Sequence, residues 1–453
     1  MNAELLAKYD GMRVPRYTSY PTAPNFSPNV GGDSYLGWLS GIAPGTVVSL
    51  YLHVPFCKTL CWYCGCNTRI VGAYPPVMGY LESLHQEIAM VAAALPGRVK
   101  VGHIHWGGGT PNLVEPEDFL RLMTMLRERF ELLADAELAV EIDPRRLTAA
   151  HVAAMAQAGI NRASLGVQDF DADVQRAVNR VQPESVTRES VAMLRAAGIG
   201  AINLDLMYGL PGQTEASCRR TAEIALTMAP QRLSVFGYAH VPWMKKHQKR
   251  LDESALPDGT HRWRQFAAIA HALIRGGMTP IGLDHFAHPD DSLAVAQRHG
   301  QLHRNFQGYT TDSAGVLIGF GASAIGALPQ GYVQNATKVE DYMDAIAHGR
   351  PAIARGRAIT PDDALRRDLI ERLMCDLEVD LNVVTARHGV DPASFDRELA
   401  SLEGPIADGI VERHGRTLKI PECARPMVRV AAAAFDAYLP ATQGGGPRHA
   451  TAI

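Results

Sequence analysis

The sequence predicts an α/β fold built on parallel strands, followed by a mainly helical C-terminal domain. Three observations predict it. β-rich runs alternate with amphipathic helical runs six times between about residues 47 and 245, four cysteines crowd just past the first of those strands, and the texture changes to short helices from about residue 360. Strands alternating with helices require right-handed crossovers and so give a parallel sheet. An open doubly wound sheet and a barrel both satisfy this pattern, and propensity does not choose between them.

The first strand is VVSLYLHV (47–54), which runs straight into the cysteines. Apolar residues at Leu81, Leu84, Ile88 and Val91 predict a helix over about 77–95. VGHIHW (101–106) is the second strand, and Phe119, Leu122, Met123, Leu126 and Phe130 mark a helix over about 116–130. Strands follow at 138–142, 162–167, 201–207 and 232–238, with helices near 148–158, 183–197 and 214–228 between them. A further strand is expected at 279–283. Thr360-Pro361-Asp362-Asp363 reads as a helix start, with proline in the first turn and acidic residues beside it. A strand pair around His414-Gly415 and a last helix ending near Leu439 complete the C-terminal part, and TQGGGPRHATAI (442–453) reads as a flexible tail.

Helices with a hairpin raise the question of a winged helix that reads DNA. From Thr360 onward there are 11 Lys and Arg against 15 Asp and Glu, a net of −4, where a DNA reader should be basic. The whole chain of 453 residues carries 44 Lys and Arg against 47 Asp and Glu, a formal net charge of −3, which argues against binding dominated by phosphate neutralisation. No run of 18 apolar residues exists, and the first residues have no apolar segment of signal-peptide length. The expectation is a cytoplasmic protein without a membrane span and without a nucleic-acid partner.

Four of the seven cysteines (Cys57, Cys61, Cys64 and Cys66) fall within ten positions, whereas Cys218, Cys375 and Cys423 are scattered and are expected to be small buried hydrophobes. A dense cluster in a cytosolic chain reads as a metal or redox site. Soft thiolates select iron–sulfur clusters, zinc or copper. A structural zinc site normally brings two pairs of ligands, and no second pair is visible. An electron-transfer cluster needs a fourth ligand, and one residue between Cys64 and Cys66 matches neither ferredoxin spacing. Three cysteines on a four-iron cluster would leave one iron open to a small molecule. Spacing favours this last reading and leaves the other two standing.

CxxxCxxC after the first strand (Cys57, Cys61, Cys64), together with WGGGTP (106–111) after the second, resembles the radical S-adenosylmethionine (SAM) superfamily. The narrower resemblance is to the oxygen-independent coproporphyrinogen III oxidase family, also called coproporphyrinogen dehydrogenases. It runs through PRYTSYPT (15–22), YLHVPFC (51–57), CWYCGCN (61–67), EIDPR (141–145), GVQDF (166–170), VNR (178–180), NLDLMYGLPGQT (203–214), RLSVFGYAH (232–240), DHFA (284–287) and HRNFQGYTT (303–311). The haem-chaperone relatives of that family lack the N-terminal element and the fourth cysteine, both present here.

The resemblance implies a partial (β/α)6 radical SAM barrel over 46–350, an N-terminal substrate flap over 1–45 and a helical C-terminal domain over 351–440. It implies a 4Fe-4S cluster on Cys57, Cys61 and Cys64, with Cys66 in the motif but not a ligand. It implies two molecules of SAM, the first near Tyr51, Gly108, Glu141 and Ile325, the second near Tyr63, Gly109, Thr110, Gln168, Arg180, Asp205 and Ala239. Tyr51, His53 and Cys66 are its candidate catalytic residues. The implied reaction turns two propionates of coproporphyrinogen III into vinyl groups through a 5′-deoxyadenosyl radical, giving protoporphyrinogen IX for haem biosynthesis; the alternative is a haem chaperone or another tetrapyrrole-acting relative. The implied partners are the tetrapyrrole substrate, an electron donor for the cluster and an unidentified terminal acceptor, and the expected state is a monomer. Arg16, Arg69 and Arg304 are candidate ligands of the substrate's propionates, because guanidinium suits carboxylate best.

Part of this map has a physical basis in the residues themselves. Glu141, Gln168, Asp205 and Ala239 lie at or near the carboxyl ends of expected strands, the active end of a barrel. A charge inside an apolar run, such as Asp205 in INLDLMYG, is costly without partners. Those partners are either a ligand or a buried structural ion pair.

Overall fold

A computed structural model of the chain describes residues 3–439, so the expected flexible tail lies outside the described residues. Six strand–helix repeats are present. They are β1 (Val47–Val54) with α1 (Pro75–Ala94), β2 (Lys100–Gly108) with α2 (Pro116–Arg129), and β3 (Glu131–Ile142) with α3 (Ala149–Gln157). Then come β4 (Arg162–Gln168) with α4 (Glu184–Ala196), β5 (Ala201–Tyr208) with α5 (Glu215–Leu226), and β6 (Arg232–Gly237) with α6 (Gly259–Arg275). Beyond them lie β7 (Thr279–Ile281), β8 (His285–Ala287), β9 (Leu317–Phe320), β10 (Ile325–Leu328), β11 (Gly331–Asn335), α7 (Val339–Ala347), β12 (Ile353–Ala358) and α8 (Pro361–Asp376).

The chain forms two compact units, which interleave along the sequence. One contains Phe26–Asp205 and Asp312–Ala358; the other contains Met1–Asn25, Leu206–Thr311 and Ile359–Ile453. The boundary falls inside β5.

In the first unit the strand order is β12-β11-β10-β9-β1-β2-β3-β4-β5. β9, β1, β2, β3 and β4 pair in parallel, while β10, β11 and β12 add antiparallel strands at one side. The parallel strands are nearly continuous apolar runs, with Val48, Leu50, Leu52, Val101, Ile104, Trp106, Val140 and Leu165 each at most 1% exposed. Such runs are expected where both faces of a parallel sheet are covered. Thr148 caps α3 by accepting from the His151 N–H.

In the second unit β6, β8 and β7 form an antiparallel set, and the end of β5 joins β6 through Tyr238 N–H to the Tyr208 carbonyl, 2.8 Å. The C-terminal core gathers Leu365, Leu369, Leu373, Met427, Val428 and Phe435. Leu6, Tyr9, Val14, Tyr17 and Tyr20 belong to the same core, each under 7% exposed. The segment that carries PRYTSYPT is therefore built into this unit through its tyrosines. Thr360 caps α8 in a reciprocal box with Asp363, as the sequence predicts. The hairpin around His414 also forms, from Glu412–His414 and Thr417–Lys419.

Three expectations are corrected. β3 begins seven residues before its expected start, because the polar residues of ELLADAE mask an extended segment. The last α-helix ends at Ala433 rather than near Leu439. Cys423 is exposed, while Cys218 and Cys375 are buried as expected.

Candidate active site

Parallel strands put all their carboxyl ends on one edge, and the chemistry-bearing residues of the first unit collect there. β1 runs into Phe56–Cys57, which pairs with Arg69–Ile70 and closes the cysteine loop on itself. A second segment grips that loop: Trp62 N–H donates to the Val178 carbonyl at 3.0 Å, and Asn179 Nδ2 donates to the Leu60 carbonyl at 2.8 Å.

Cys61 is buried, Cys57 and Cys64 are half-buried, and Cys66 is exposed. Thr110 Oγ1 donates to Cys57 Sγ at 3.3 Å. Arg180 Nη1 lies 3.5 Å and Arg145 Nη2 3.8 Å from Cys61 Sγ. Burial pushes the Cys57 thiol up to about 11, and the neighbouring Cys64 and Cys61 add to the rise. Holding the Cys57 sulfur as a thiolate therefore calls for positive charge at the loop, which the iron of a cluster would supply. Among the described residues no three His, Cys, Asp or Glu side chains converge on a point fit for a single ion. Cys66 hydrogen-bonds to Cys64, and this contact, with the charge of Cys64, raises its pKa.

The glycine run leaves β2 between two side chains. Gly108 has φ +115, and a Cβ there would stand 2.7 Å from the His53 ring, so only glycine fits. At Gly109 a Cβ would stand 2.6 Å from the Phe56 carbonyl oxygen. Glu141, on β3, accepts from Gly108 N–H and from His105 Nε2, both at 3.1 Å. The Tyr51 ring stacks on His105 with centroids 5.9 Å apart.

His53 is 6% exposed, and burial lowers its pKa below the ordinary histidine value. Its Nε2 lies 3.1 Å from the Asn67 carbonyl, which can only accept, so Nε2 carries the proton. Nδ1 is then the acceptor for the Tyr51 hydroxyl at 2.9 Å. His53 thus ties β1 to the end of the cysteine loop as a neutral ring, which suits orienting Tyr51 better than donating a proton. Ser323, in the left-handed region at φ +65, brings Oγ to 3.4 Å of the same Nε2. It lies just before β10, whose first residue is Ile325.

A second group lies at the ends of β3, β4 and β5. Arg180 donates through Nη2 to the Gly166 carbonyl at 2.6 Å and lies 3.7 Å from Asp143. Burial works against its charge, but Tyr63, Asp143 and Cys61 outweigh it and hold the guanidinium charged. Tyr63 is buried and hydrogen-bonds to Cys61. Gln168 closes β4 at φ +71, a left-handed backbone that costs a non-glycine residue roughly 1–3 kcal/mol and often marks a functional position. Asp205 accepts from Ser164 Oγ at 2.9 Å and from Asn203 Nδ2 at 2.8 Å. Asp205 thus sits among polar donors of its own strand and of the neighbouring β4.

The remaining candidates separate. Ala239 belongs to the second unit, where it lines a cleft with Arg16. Arg304 is in that unit too, stacked on Tyr309 at 4.4 Å. Arg69 sits on an exposed strand of the first unit, paired with Glu340. The sequence singled out no role for Asp143 and Arg145, yet they form a tight ion pair at 2.7 Å beside Cys61. EIDPR holds both residues, and the signal was an acid and a base just past a strand end.

Comparison with known proteins agrees with this site. The Radical SAM superfamily profile matches residues 51–225. The chain is 54% identical over 439 residues to the oxygen-independent coproporphyrinogen III oxidase of Bradyrhizobium diazoefficiens, covering 97% of this chain and 98% of that protein. It is 43% identical over 451 residues to the enzyme of the same name from Paracoccus denitrificans, covering 99% and 98%. Among solved structures, the coproporphyrinogen III oxidase HemN of Escherichia coli, described as a radical SAM enzyme, aligns with a TM-score of 0.90 at 39% identity over 94% of this chain and 98% of that one. With three cysteines on the loop that follows the first strand, a glycine loop folded onto that loop and this likeness along nearly its whole length, the chain belongs to the oxygen-independent coproporphyrinogen III oxidase family of the radical SAM superfamily.

Proposed function

We propose that this protein decarboxylates two propionate side chains of coproporphyrinogen III oxidatively, without oxygen, to give the two vinyl groups of protoporphyrinogen IX in haem biosynthesis. The observation that carries the reading is 54% identity along 97% of the chain to a relative of that name, together with a cysteine loop and glycine loop in mutual contact. Cys57, Cys61 and Cys64 hold a 4Fe-4S cluster. When bound, the cluster and SAM supply a reductively generated carbon radical that abstracts hydrogen.

The chain's own residues bind and orient. Tyr51, Gly108, Glu141 and Ile325 surround the SAM on the cluster, with the Gly108 N–H and Glu141 carboxylate set by their mutual hydrogen bond. His53 Nδ1 holds the Tyr51 hydroxyl proton in place. Tyr63, Gly109, Thr110, Gln168, Arg180 and Asp205 surround a second SAM, whose amine and ribose hydroxyls suit the acceptors Gln168 and Asp205. Arg145 and Arg180 face Cys61 and offset the negative charge of thiolate ligands. Cys66 stays off the iron and holds Cys64 in place.

Each propionate loses a hydrogen atom from its β-carbon, carbon dioxide and one electron, leaving a double bond. One external donor must therefore reduce the cluster and one acceptor must take the last electron. Residues 1–45 serve as the substrate flap, 46–350 as the catalytic barrel and its extension, and 351–440 as a mainly helical C-terminal domain. The protein works as a monomer in the cytoplasm; no helix among the described residues is long and apolar enough to cross a membrane. The test is anaerobic turnover of reconstituted protein with coproporphyrinogen III, SAM and reductant, following vinyl product and 5′-deoxyadenosine together. Haem binding without either product would favour the chaperone reading instead.

A further inference from the structure

The second unit contains a cleft of about 330 Å³, within the usual range for a small-molecule site. Its lining carries four arginines (Arg13, Arg16, Arg262 and Arg429) against two aspartates. Both aspartates are already engaged. Asp258 caps α6, accepting from the His261 N–H and ring, each at 2.8 Å. Asp284 is held at 2.7 Å by His285, and despite burial His285, Arg304 and Arg16 pull its pKa down to about 2. The cleft thus keeps an excess of positive charge.

Three of the arginines descend through the cleft. Arg16 is exposed, Arg262 half-buried and Arg429 buried. Arg16 Nη2 is steadied by the Gly237 carbonyl at 2.8 Å. The Arg262 guanidinium lies 5.5 Å from the centre of the Tyr208 ring, and it occupies the space that any side chain at Gly209 would take. Arg429 Nη1 reaches the Val14 carbonyl at 3.4 Å. Burial lowers its pKa to about 10, with Arg16 and Arg304 lowering it further and Tyr208 and Asp284 raising it. The remaining wall is aromatic, with Tyr208, Trp263 and Phe266.

We propose that this cleft is a carboxylate-reading subsite, in which Arg16, Arg262 and Arg429 take propionates of the tetrapyrrole while Tyr208, Trp263 and Phe266 take the face of a pyrrole ring. The inference rests on the function proposed above and adds which residues select its substrate. Guanidinium forks match carboxylates bidentately, and an apolar ring bearing several carboxylates needs both kinds of wall. Of the three arginines expected from sequence to bind propionates, only Arg16 lines this cleft, while Arg262 and Arg429 replace Arg69 and Arg304.

The test uses reconstituted holoenzyme and two probes read by fluorescence quenching: coproporphyrin III, with four carboxylates, and its tetramethyl ester, with none. Arg262→Gln and Arg16→Gln are each expected to weaken coproporphyrin III binding ten- to a hundredfold, as losing a charge-assisted hydrogen bond should. Ester binding, cluster absorbance and SAM stoichiometry should stay as in the parent. Arg16→Gln removes only an exposed side chain and remains informative if Arg262→Gln fails to fold. Parent turnover with unchanged coproporphyrin III affinity in both variants would overturn the subsite alone. A parent that neither binds coproporphyrin III nor turns over would overturn the function itself. Equal weakening for acid and ester would mean that the arginines shape the cleft without reading charge, and would also overturn the proposal.

Discussion

Glu87 offers a test of the scaffold that needs no cofactor. It lies on α1, 4% exposed, and its carboxylate faces three donors: Gly321 N–H at 2.7 Å, Asn335 Nδ2 at 2.6 Å and the Tyr342 hydroxyl at 2.8 Å. Burial wins over these donors and raises its pKa from 4.5 to about 7. The fold therefore binds a proton that the unfolded chain releases near pH 4.5. The stability from this proton is complete below that value and is lost as pH rises through about 7. At 1.36 kcal/mol per pKa unit the loss totals about 3 kcal/mol. Glu87→Gln cannot titrate and resembles the protonated acid in shape. The difference in unfolding free energy between parent and Glu87→Gln should then shift by about 3 kcal/mol between pH 4.5 and 8, in favour of the variant at high pH. Urea unfolding followed by tryptophan fluorescence at several pH values measures it, and taking the difference cancels groups that titrate alike in both proteins. Parallel pH–stability curves would refute the reasoning, because they would mean that folding leaves the pKa of Glu87 unchanged. Glu87→Ala should be worse at every pH, since it leaves three buried donors without an acceptor at roughly 1–3 kcal/mol each.

Three further outcomes are expected. Replacing Cys57, Cys61 or Cys64 by serine should abolish the cluster, because a hydroxyl is a poor soft-metal ligand; Cys66→Ser should keep the cluster's visible absorbance, and loss of iron from it would make Cys66 a ligand. Gly108→Ala drives a methyl group into His53 at a φ that alanine resists, so SAM binding should fall at least tenfold in equilibrium dialysis, whereas parent-like affinity would show that the loop has another way to bend. Asp205→Ala should lower SAM stoichiometry from about two to about one per chain with the cluster intact, at a cost of roughly 1.5–3 kcal/mol for the lost site; unchanged binding of both molecules would leave Asp205 a purely structural member of the Ser164–Asn203 triad.

The residues legible in the sequence share one property: their place follows from local order. Gly108, Glu141, Gln168 and Asp205 lie at or near the ends of recognisable strands and Cys57 just past one, and parallel pairing then brings those ends to one edge without further information. β3 shows the limit, since its first half is extended yet polar. Partners set by chain crossings were not legible. Arg145 and Arg180 converge on Cys61 from 84 and 119 positions away, and Glu87 meets Gly321, Asn335 and Tyr342 from more than 230. No period or motif encodes such a meeting.

The Glu87 cluster bears on the reaction as well as on stability. Gly321 N–H is fixed by Glu87, and the next residue, Ala322, donates its N–H to Tyr80 Oη at 3.0 Å. The Tyr80 hydroxyl donates in turn to the His53 carbonyl at 2.6 Å. One buried carboxyl thus braces the turn that leads to Ile325, and through Tyr80 the strand that carries Tyr51 and His53. The acid's position follows from this. If the turn presents Ile325 to SAM, as proposed above, its polar anchors have to come from behind, where water cannot compete. Burial makes the anchor expensive when ionised, and three donors make it tolerable. The same trade holds at Asp205, where Ser164 Oγ and Asn203 Nδ2 donate to a carboxylate near a strand end.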